Sequence, residues 1–379
     1  MRSDSGSAVG CMTDWTSMTL SQVVKLQRGH DLPATRRGEG SVPVIGSFGV
    51  TGLHDEAMYQ GPGVAIGRSG ASMGVATYCS EDYWPLNTCL FVKDFQGNNP
   101  RWIYYLLHSI DFSAYNSGSV QPMLNRNYIA NMPIEVPPVG EQCAIAATLG
   151  AIDDKIESNR RMVDLSLALL DSCSADFAAK ADKVVPLGDL VQISRESVNP
   201  VGFATLEVDH FSIPAFDDSR WPDRVSASSI MSNKLLIRRP CILVSRLNPR
   251  FNRTWWCVPA NGVPALASTE FLVVSPREPK DLGGLWLALR DEYFRTELMR
   301  RVTGTSGSHQ RIRPDDALAI EVPDTRLLSV EQKELTLSLL TLIHQRQDES
   351  RRLAVLRDTL LPELLSGRIR VSETAGAIA

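Results

Sequence analysis

Apolar residues recur at helical spacing along an unbroken stretch near the middle of the chain, residues 139–180. Alternating steps of four and three residues give the seam positions Ile145, Leu149, Ile152, Ile156, Asn159, Val163, Ser166 and Leu170. A seven-residue repeat of this kind is typical of a long helix that packs against another helix. The pattern therefore predicts a helix about 55 Å long at 1.5 Å per residue.

A second seam of the same kind lies about 190 residues later, over 329–367. Its positions are Leu335, Leu339, Leu342, Arg346, Glu349, Leu353, Leu356 and Leu360, and a Glu-Gln pair begins both segments (Glu141-Gln142 and Glu331-Gln332). One seam alone would be an ordinary core-facing helix. Two seams in register indicate a pair of long helices in an antiparallel coiled coil, and their polar centres favour one alignment.

The segments before each predicted helix contain short β-like runs separated by Gly and Pro. These runs are 42–46, 63–67, 73–79 and 88–92 in the first half, and 204–211, 241–247, 254–258 and 270–275 in the second. Residues 186–193 resemble 19–26, and Ile-Glu-Val-Pro precedes both long helices. We therefore predict an α+β fold with internal duplication: globular domains at 19–138 and 184–328, each followed by a long helix, with a flexible leader at 1–18 and tail at 368–379.

Composition is that of a soluble protein, with 43% hydrophobic and 22% charged residues among 379. No run of about 18 apolar residues occurs, so we expect no membrane span. The leader lacks a secretory pattern, and the seven cysteines are scattered, so free thiols in the cytoplasm are the expectation. The net charge of −4 does not exclude nucleic acid as a partner, because the local field decides binding.

Catalytic motifs are scarce in this sequence. It contains no Gly-x-x-x-x-Gly-Lys-Ser/Thr phosphate loop and no Asn/Asp-Pro-Pro-aromatic tetrapeptide. Asp315, Asp316 and Glu321 resemble a nuclease cluster, but Pro323 stands where such sites need Lys, so a surface turn is the preferred interpretation. We expect no catalytic residues and no metal site in this chain.

Loops rich in Arg, Ser, Asn and Gln are the candidate DNA contacts. Arg can bind the guanine edge, Asn and Gln the adenine edge, and all of them phosphates. The candidates are Arg68, Ser69, Gln121, Asn125, Arg126 and Asn127 in the first domain, and Lys234, Arg246, Asn248, Arg250, Arg253, Ser308, Gln310 and Arg311 in the second. Each could equally be a solvated surface side chain, so the cluster carries more weight than its members. Trp255-Trp256 is interpreted as core packing rather than base stacking.

Four motifs together resemble a known family. They are 118–125 (GSVQPMLN), 133–138 (PIEVPP), Glu141-Gln142 and 149–161 (LGAIDDKIESNRR). This combination is similar to the specificity (S) subunits of type I restriction–modification systems. The second long helix lacks the Asp-Asp-Lys-Ile-Glu run, so it need not make the same contacts.

The resemblance implies two target-recognition domains that each read one half of a split site in double-stranded DNA. It also implies docking of modification (methyltransferase) subunits, two of them, and of restriction/translocase subunits. S-adenosylmethionine, ATP and Mg²⁺ would belong to those partners, and this chain would hold no cofactor. The implied docking and seam residues are Glu141, Gln142, Ile145, Leu149, Ile152, Ile156, Asn159, Glu331, Gln332, Leu335, Leu339, Leu342, Leu353 and Leu356.

Two other functions remain open from the sequence. The chain could be a self-sufficient nuclease or methyltransferase of a related restriction system. Alternatively, its duplicated modules could form a protein–protein scaffold that does not bind DNA.

Overall fold

The computed structural model describes residues 15–116, 122–203, 206–302 and 310–371. They form two compact units, which we call unit 1 (Met1–Ile156 with Arg352–Ala379) and unit 2 (Glu157–Arg351). Each unit mixes strands and helices and includes part of two long helices. The predicted α+β class with two long helices is confirmed.

The first segment of unit 1 begins with a short strand and ends in the first part of a long helix, and its second segment, Arg352–Ala379, begins in the last part of the other long helix. Its elements are β1 (Thr16–Thr19), α1 (Leu20–Val23), β2 (Lys25–Arg28), β3 (Val42–Gly46), β4 (Gly49–His54), β5 (Gly63–Gly67), β6 (Ala76–Cys79), β7 (Trp84–Pro85), β8 (Cys89–Asp94), α2 (Pro100–Ser109), α3 (Arg126–Ile129), β9 (Pro133–Val136) and the start of α4 (Val139–Ala179). The strands form a four-stranded sheet in the order β2-β8-β5-β6, a three-stranded sheet β4-β3-β7 and the pair β1-β9.

Unit 2 follows a similar course with more strands. Its elements are β10 (Val184–Pro186), α5 (Leu187–Leu190), β11 (Val191–Ser194), β12 (Ser197–Val198), β13 (Glu207–Phe211), α6 (Ile213–Asp218), β14 (Asp223–Ser226), β15 (Lys234–Ile237), β16 (Cys241–Ser245), β17 (Thr254–Cys257), β18 (Ala265–Ala267), β19 (Phe271–Pro276), α7 (Leu282–Arg290), α8 (Glu292–Arg300), α9 (Pro314–Leu318), β20 (Glu321–Pro323) and most of α10 (Val330–Leu365). The sheets are β11-β19-β16-β17, β12-β15-β18-β13-β14 and β10-β20.

The four-stranded sheets of the two units have the same strand order. In each, the first strand follows a one-turn helix, and a two-stranded pair closes just before a long helix begins. The apolar face of the sheet packs on one helix in each unit, α2 in unit 1 and α7 in unit 2. We call this repeated set of elements the frame. The remaining sheets, of three and five strands, differ between the units.

The long helices run antiparallel where they meet inside each unit. In unit 1, Ile145 and Leu149 of α4 share a core with Leu361 and Leu364 of α10. In unit 2, Leu170 of α4 shares a core with Leu340 and Ile343 of α10. Residues with higher numbers in α4 therefore contact residues with lower numbers in α10. Asn159 is buried in this seam and its Nδ2 donates to Glu349 Oε2 at 3.0 Å.

The seam of α10 lies one residue later than predicted. Leu340 is 1% exposed, whereas Leu335 is 51% and Leu356 47% exposed. Leu339, Leu342 and Leu353 are only half-buried, so they flank the seam. The prediction aligned the helices on their Glu-Gln pairs, but α4 and α10 begin at Val139 and Val330, an offset of 191 residues. All eight predicted α4 positions are buried or half-buried.

Candidate nucleic-acid interface

In unit 1, the loop after β5 is joined to the segment that precedes α3. The backbone N–H of Leu124 donates to the carbonyl of Arg68 at 2.7 Å, and Gly70 N–H donates to Pro122 O at 2.9 Å. Gly70 has a φ of +74°, which suits glycine. Leu124 is buried and anchors the segment in the core. We call this arrangement the juncture, and it presents Arg68 and Ser69 at the end of the frame sheet.

Unit 2 repeats the juncture with different side chains. Ile312 N–H donates to Arg246 O at 3.1 Å, and Asn248 N–H donates to Gln310 O at 2.9 Å. Asn248 has a φ of +47°, and Asn is among the few residue types that tolerate this conformation. Ile312 is buried, as Leu124 is in unit 1. The loops chosen from the sequence are therefore brought together within each unit by one shared backbone geometry.

The unit 1 candidates differ in how free their side chains are. Asn125 caps α3, because its Oδ1 accepts from Asn127 N–H at 3.0 Å. Arg126 is exposed and its Nη1 donates to Leu26 O at 3.4 Å. Arg68 is half-exposed, with Nη2 at 3.7 Å from Met123 Sδ. Arg68, Ser69, Arg126 and Asn127 thus present polar atoms at the surface, while Gln121 lies outside the described residues.

Three unit 2 candidates have structural roles, which corrects the prediction. Lys234 is only 7% exposed, its Nζ donates to Ser232 Oγ at 2.6 Å, and burial lowers its pKa. Arg253 has a buried side chain and makes two 2.7 Å bonds to the carboxylate of Asp217. Arg246 donates to the carbonyls of Ile312 and Thr269, so its guanidinium supports the juncture.

Arg250 is the best placed of the remaining unit 2 candidates. Its side chain is exposed, its guanidinium lies 4.7 Å from the ring centroid of Phe251, and it makes no ion pair within the described part of the chain. Arg311 is exposed but paired with Glu270 at 2.6 Å. Asn248 and Gln310 are half-buried, and Ser308 lies outside the described residues.

Aromatic residues beside the junctures were missed from the sequence. Phe48, Tyr128 and Phe251 are all exposed. A signal for Phe48 was present, because Gly-Ser-Phe-Gly between two β-like runs is typical of a hairpin turn. By contrast, Trp255 is buried against Phe211 and Phe216, as the core interpretation requires.

Gln142 does not lie on a docking surface, although the sequence analysis placed it there. It is 1% exposed, its Oε1 accepts from Asn99 N–H at 2.9 Å and its Nε2 donates to Asn98 Oδ1 at 2.8 Å. It therefore ties the first turn of α4 to the start of α2. Gln332 has a different role, because its Oε1 accepts from Ser329 N–H at 3.2 Å and caps α10.

The other docking candidates at the helix starts are less enclosed. Glu141 Oε2 accepts from Trp15 Nε1 at 2.9 Å. Glu331 is exposed in the first turn of α10. Neither residue identifies a partner protein.

The Asp-Asp pair of α4 is occupied by contacts inside unit 1. Arg101 of α2 binds both oxygens of Asp154, at 2.9 and 2.7 Å, and lowers its pKa. Asp153 accepts from Tyr105 Oη at 2.6 Å and from Arg357 of α10 at 2.9 Å. These bonds fix α2 and the two long helices to one another within the unit.

The described residues contain no group of three or more His, Cys, Asp or Glu that could hold a metal ion. Asp315 and Asp316 lie in the short helix α9 rather than in a surface turn, and Asp315 pairs with Arg195 at 3.6 Å. Among the helices that the structure describes, none is both long and apolar enough to cross a membrane.

Residues 12–163 match the family model of the type I restriction modification DNA specificity domain. This part of the chain is similar to that family. The match covers the frame of unit 1 and more than half of α4, and unit 2 repeats the strand order of that frame. The family resemblance inferred from the sequence motifs is confirmed.

Two similar proteins agree with the specificity-domain match. The type I restriction enzyme EcoprrI specificity subunit of Escherichia coli is 27% identical over 140 residues, which are 36% of this chain and 35% of that protein. The matched segment thus spans about a third of the relative's length. The crystal structure of a type I restriction–modification S subunit from M. genitalium superposes with a TM-score of 0.67 at 16% identity, over 94% of this chain and 97% of that chain. That likeness shows a shared fold.

Proposed function

We propose that this protein is the non-catalytic DNA-recognition subunit of a type I restriction–modification complex. The observation that carries the proposal is the repeated juncture, which presents unlike side chains in one backbone geometry. A scaffold that holds two different surfaces in the same way suits a target made of two different half-sites. The match of residues 12–163 to a specificity domain supports the same conclusion.

Each unit would present its juncture to the major groove of one half-site. Unit 1 offers Arg68, Ser69, Arg126 and Asn127 for bases and phosphates, and unit 2 offers Arg250 and Arg311. Because Arg253 and Arg246 hold the loop through Asp217 and backbone carbonyls, Arg250 projects from a rigid base. A side chain on a loop that is held in this way favours discrimination between nucleobases, because the loop needs little ordering on binding.

The outer faces of the long helices would bind the modification and restriction subunits. Met162, Leu165 and Leu169 are exposed and share one face of α4 within unit 2. Val355 and Leu356 are exposed on α10 within unit 1. Apolar side chains that a helix pair leaves in solvent are suited to a further protein. S-adenosylmethionine, ATP and Mg²⁺ would then be held by those subunits.

The test is to purify the chain with and without the host's modification subunits and to select bound duplexes from a random library. We expect the complex to bind a two-part sequence in a salt-sensitive manner, and the same sequence to be methylated in the host genome. Methylation or cleavage by the chain alone, with S-adenosylmethionine or Mg²⁺, would support the enzyme alternative. Failure of the complex to select any DNA sequence would support a protein scaffold.

A further inference from the structure

The tip of the β3–β4 hairpin in unit 1 exposes a phenylalanine. Gly46 and Gly49 pair at the end of the hairpin, which leaves Ser47 and Phe48 at the tip. Gly49 has a φ of +90°, so the turn depends on glycine. Phe48 is 78% exposed. Its ring therefore contributes little to packing within the unit.

The hairpin tip is fixed beside the unit 1 juncture. A Cβ at Gly67, the last residue of β5, would lie 2.4 Å from Ser47 O and 2.0 Å from Ser72 O, so only glycine permits this approach. Arg68 follows directly, and its N–H donates to Thr88 O at 3.0 Å. A Cβ at Gly46 would lie 3.6 Å from Thr88 Oγ1. The hairpin and the juncture thus form one backbone surface.

Unit 2 also places an exposed aromatic ring at its juncture, but on a different element. Phe251 lies in the loop after β16, with the guanidinium groups of Arg250 and Arg253 at 4.7 and 4.8 Å from its ring centroid. Single exposed apolar residues are common on protein surfaces. An exposed aromatic ring close to the juncture of each unit is a more specific arrangement, and it suits the stacked bases of nucleic acid.

We propose that Phe48 is a wedge that inserts between adjacent base pairs of the half-site contacted by unit 1. This inference rests on the DNA-recognition function proposed above. Insertion of an apolar side chain unstacks one base step and bends the duplex. Pyrimidine–purine steps unstack most easily, so the wedge selects a flexible step such as TA or CA at a position without a hydrogen-bond contact.

The experiment uses the full chain in complex with its modification subunits and a duplex carrying the selected sequence. 2-Aminopurine replaces each purine of one half-site in turn, and its fluorescence reports unstacking. We expect a rise on binding at one step in the half-site of unit 1. In Phe48→Ala the rise is lost and binding weakens about 10-fold, the effect of removing one aromatic stacking contact.

Two variants serve as controls. Leu53→Ala removes another exposed apolar side chain from the same hairpin, away from the tip, and should retain the fluorescence rise. Phe48→Trp should retain it as well. The melting temperature of Phe48→Ala should equal that of the wild type, because the ring is largely in solvent.

Each outcome decides the proposal. Selective binding by Phe48→Ala with an unchanged fluorescence rise overturns the wedge and leaves the DNA-recognition function intact. If the wild-type complex binds selectively but the 2-aminopurine fluorescence rises at no position, the wedge is likewise overturned and the DNA-recognition function remains intact. Loss of modification subunits from the Phe48→Ala complex, with DNA fluorescence unchanged, would make Phe48 a protein contact. If the wild-type complex selects no DNA sequence, both proposals fail together.

Discussion

Arg250 and Arg253 lie three residues apart on one loop and have opposite environments. The Arg253 side chain is only 10% exposed and is paired with Asp217, so its charge is neutralised within the protein. Arg250 is exposed above Phe251, with no ion pair among the described residues. A guanidinium that is ordered and not neutralised can bind two guanine acceptors at once. Base discrimination in the second half-site should therefore depend on Arg250.

We expect Arg250→Ala to relax the choice of base at one position of a single half-site. The loss should be about 1–3 kcal/mol of discrimination for one bidentate contact. Sequencing of the host methylation pattern, or selection from a duplex library, measures it. Arg238→Ala is a matched control, because Arg238 is exposed in the same unit but paired with Glu196. An equal loss of affinity for all sequences would instead make Arg250 a phosphate contact.

His344 of α10 makes an aromatic contact within unit 2. Its ring stacks on Trp221 at 4.7 Å, and the guanidinium of Arg351 lies 5.2 Å from the centroid of the same Trp. Burial lowers the pKa of His344, although nearby Asp348 opposes the shift. The unfolded chain therefore takes up a proton near pH 6.5, before the folded chain does. Stability is fully present above that pH and is lost as the pH falls below it.

We expect the melting temperature of the wild type to fall relative to His344→Phe as the pH is lowered from about 7.5 to 5.5. Phe can keep the stacking contact and cannot titrate. Thermal unfolding at several pH values measures the difference. A constant difference across this range would show that His344 does not contribute to the acid sensitivity of unit 2.

At the scale of elements, the sequence was sufficient to predict the buried positions of α4 but not those of α10. The eight predicted seam positions of α4 are buried or half-buried throughout, and the other large apolar residues Met162, Leu165 and Leu169 are exposed. In α10, residues 335–343 include six apolar positions, so two neighbouring stripes are possible. Packing against α4 and α7 selects the stripe with Leu340 and Ile343, and periodicity alone contains no information on that contact.

The corrected seam predicts unequal effects for one substitution at two positions of α10. Leu340→Ala should lower the free energy of unfolding by about 2–5 kcal/mol, because it leaves a cavity in a packed core. Leu335→Ala, on the exposed face of the same helix, should change it by less than about 0.5 kcal/mol. Chemical denaturation of the two variants gives the comparison. Equal losses would restore the seam that was predicted from the sequence.

For the whole molecule, the internal duplication made the frame predictable from the sequence. It gave no information on the sheets that differ between the units. Joints such as Ile-Glu-Val-Pro occur twice, so strands and helices beside them could be placed. The five-stranded sheet of unit 2 depends on distant pairings, including the parallel pair β13–β18. No short motif encodes such a pairing. For the same reason the sequence located the juncture loops but not the roles of Lys234 and Arg253, whose tertiary partners decide them.

The long helices connect the two units along the chain, and we propose that their length sets the gap between the half-sites. Asn159 and Glu349 bond across the pair, so residues 156–162 lie opposite 346–352. Deleting both segments removes one heptad from each helix and keeps the seam facing its partner. The deletion shortens each helix by about 10 Å. At about 3.4 Å per base pair, the preferred gap should shrink by about three base pairs.

Sequencing of the methylation pattern in a host that expresses this deletion measures the gap directly. Arg160→Gln with Arg161→Gln is the control, because both side chains are exposed and the helix keeps its length. The complex with the control variant should methylate sites whose half-sites have the original gap. The two units can be held apart only through elements that join them. If the complex with the deletion variant methylates sites with the original gap, the length of the helices does not set the gap. The spacing would then be determined by the partner subunits.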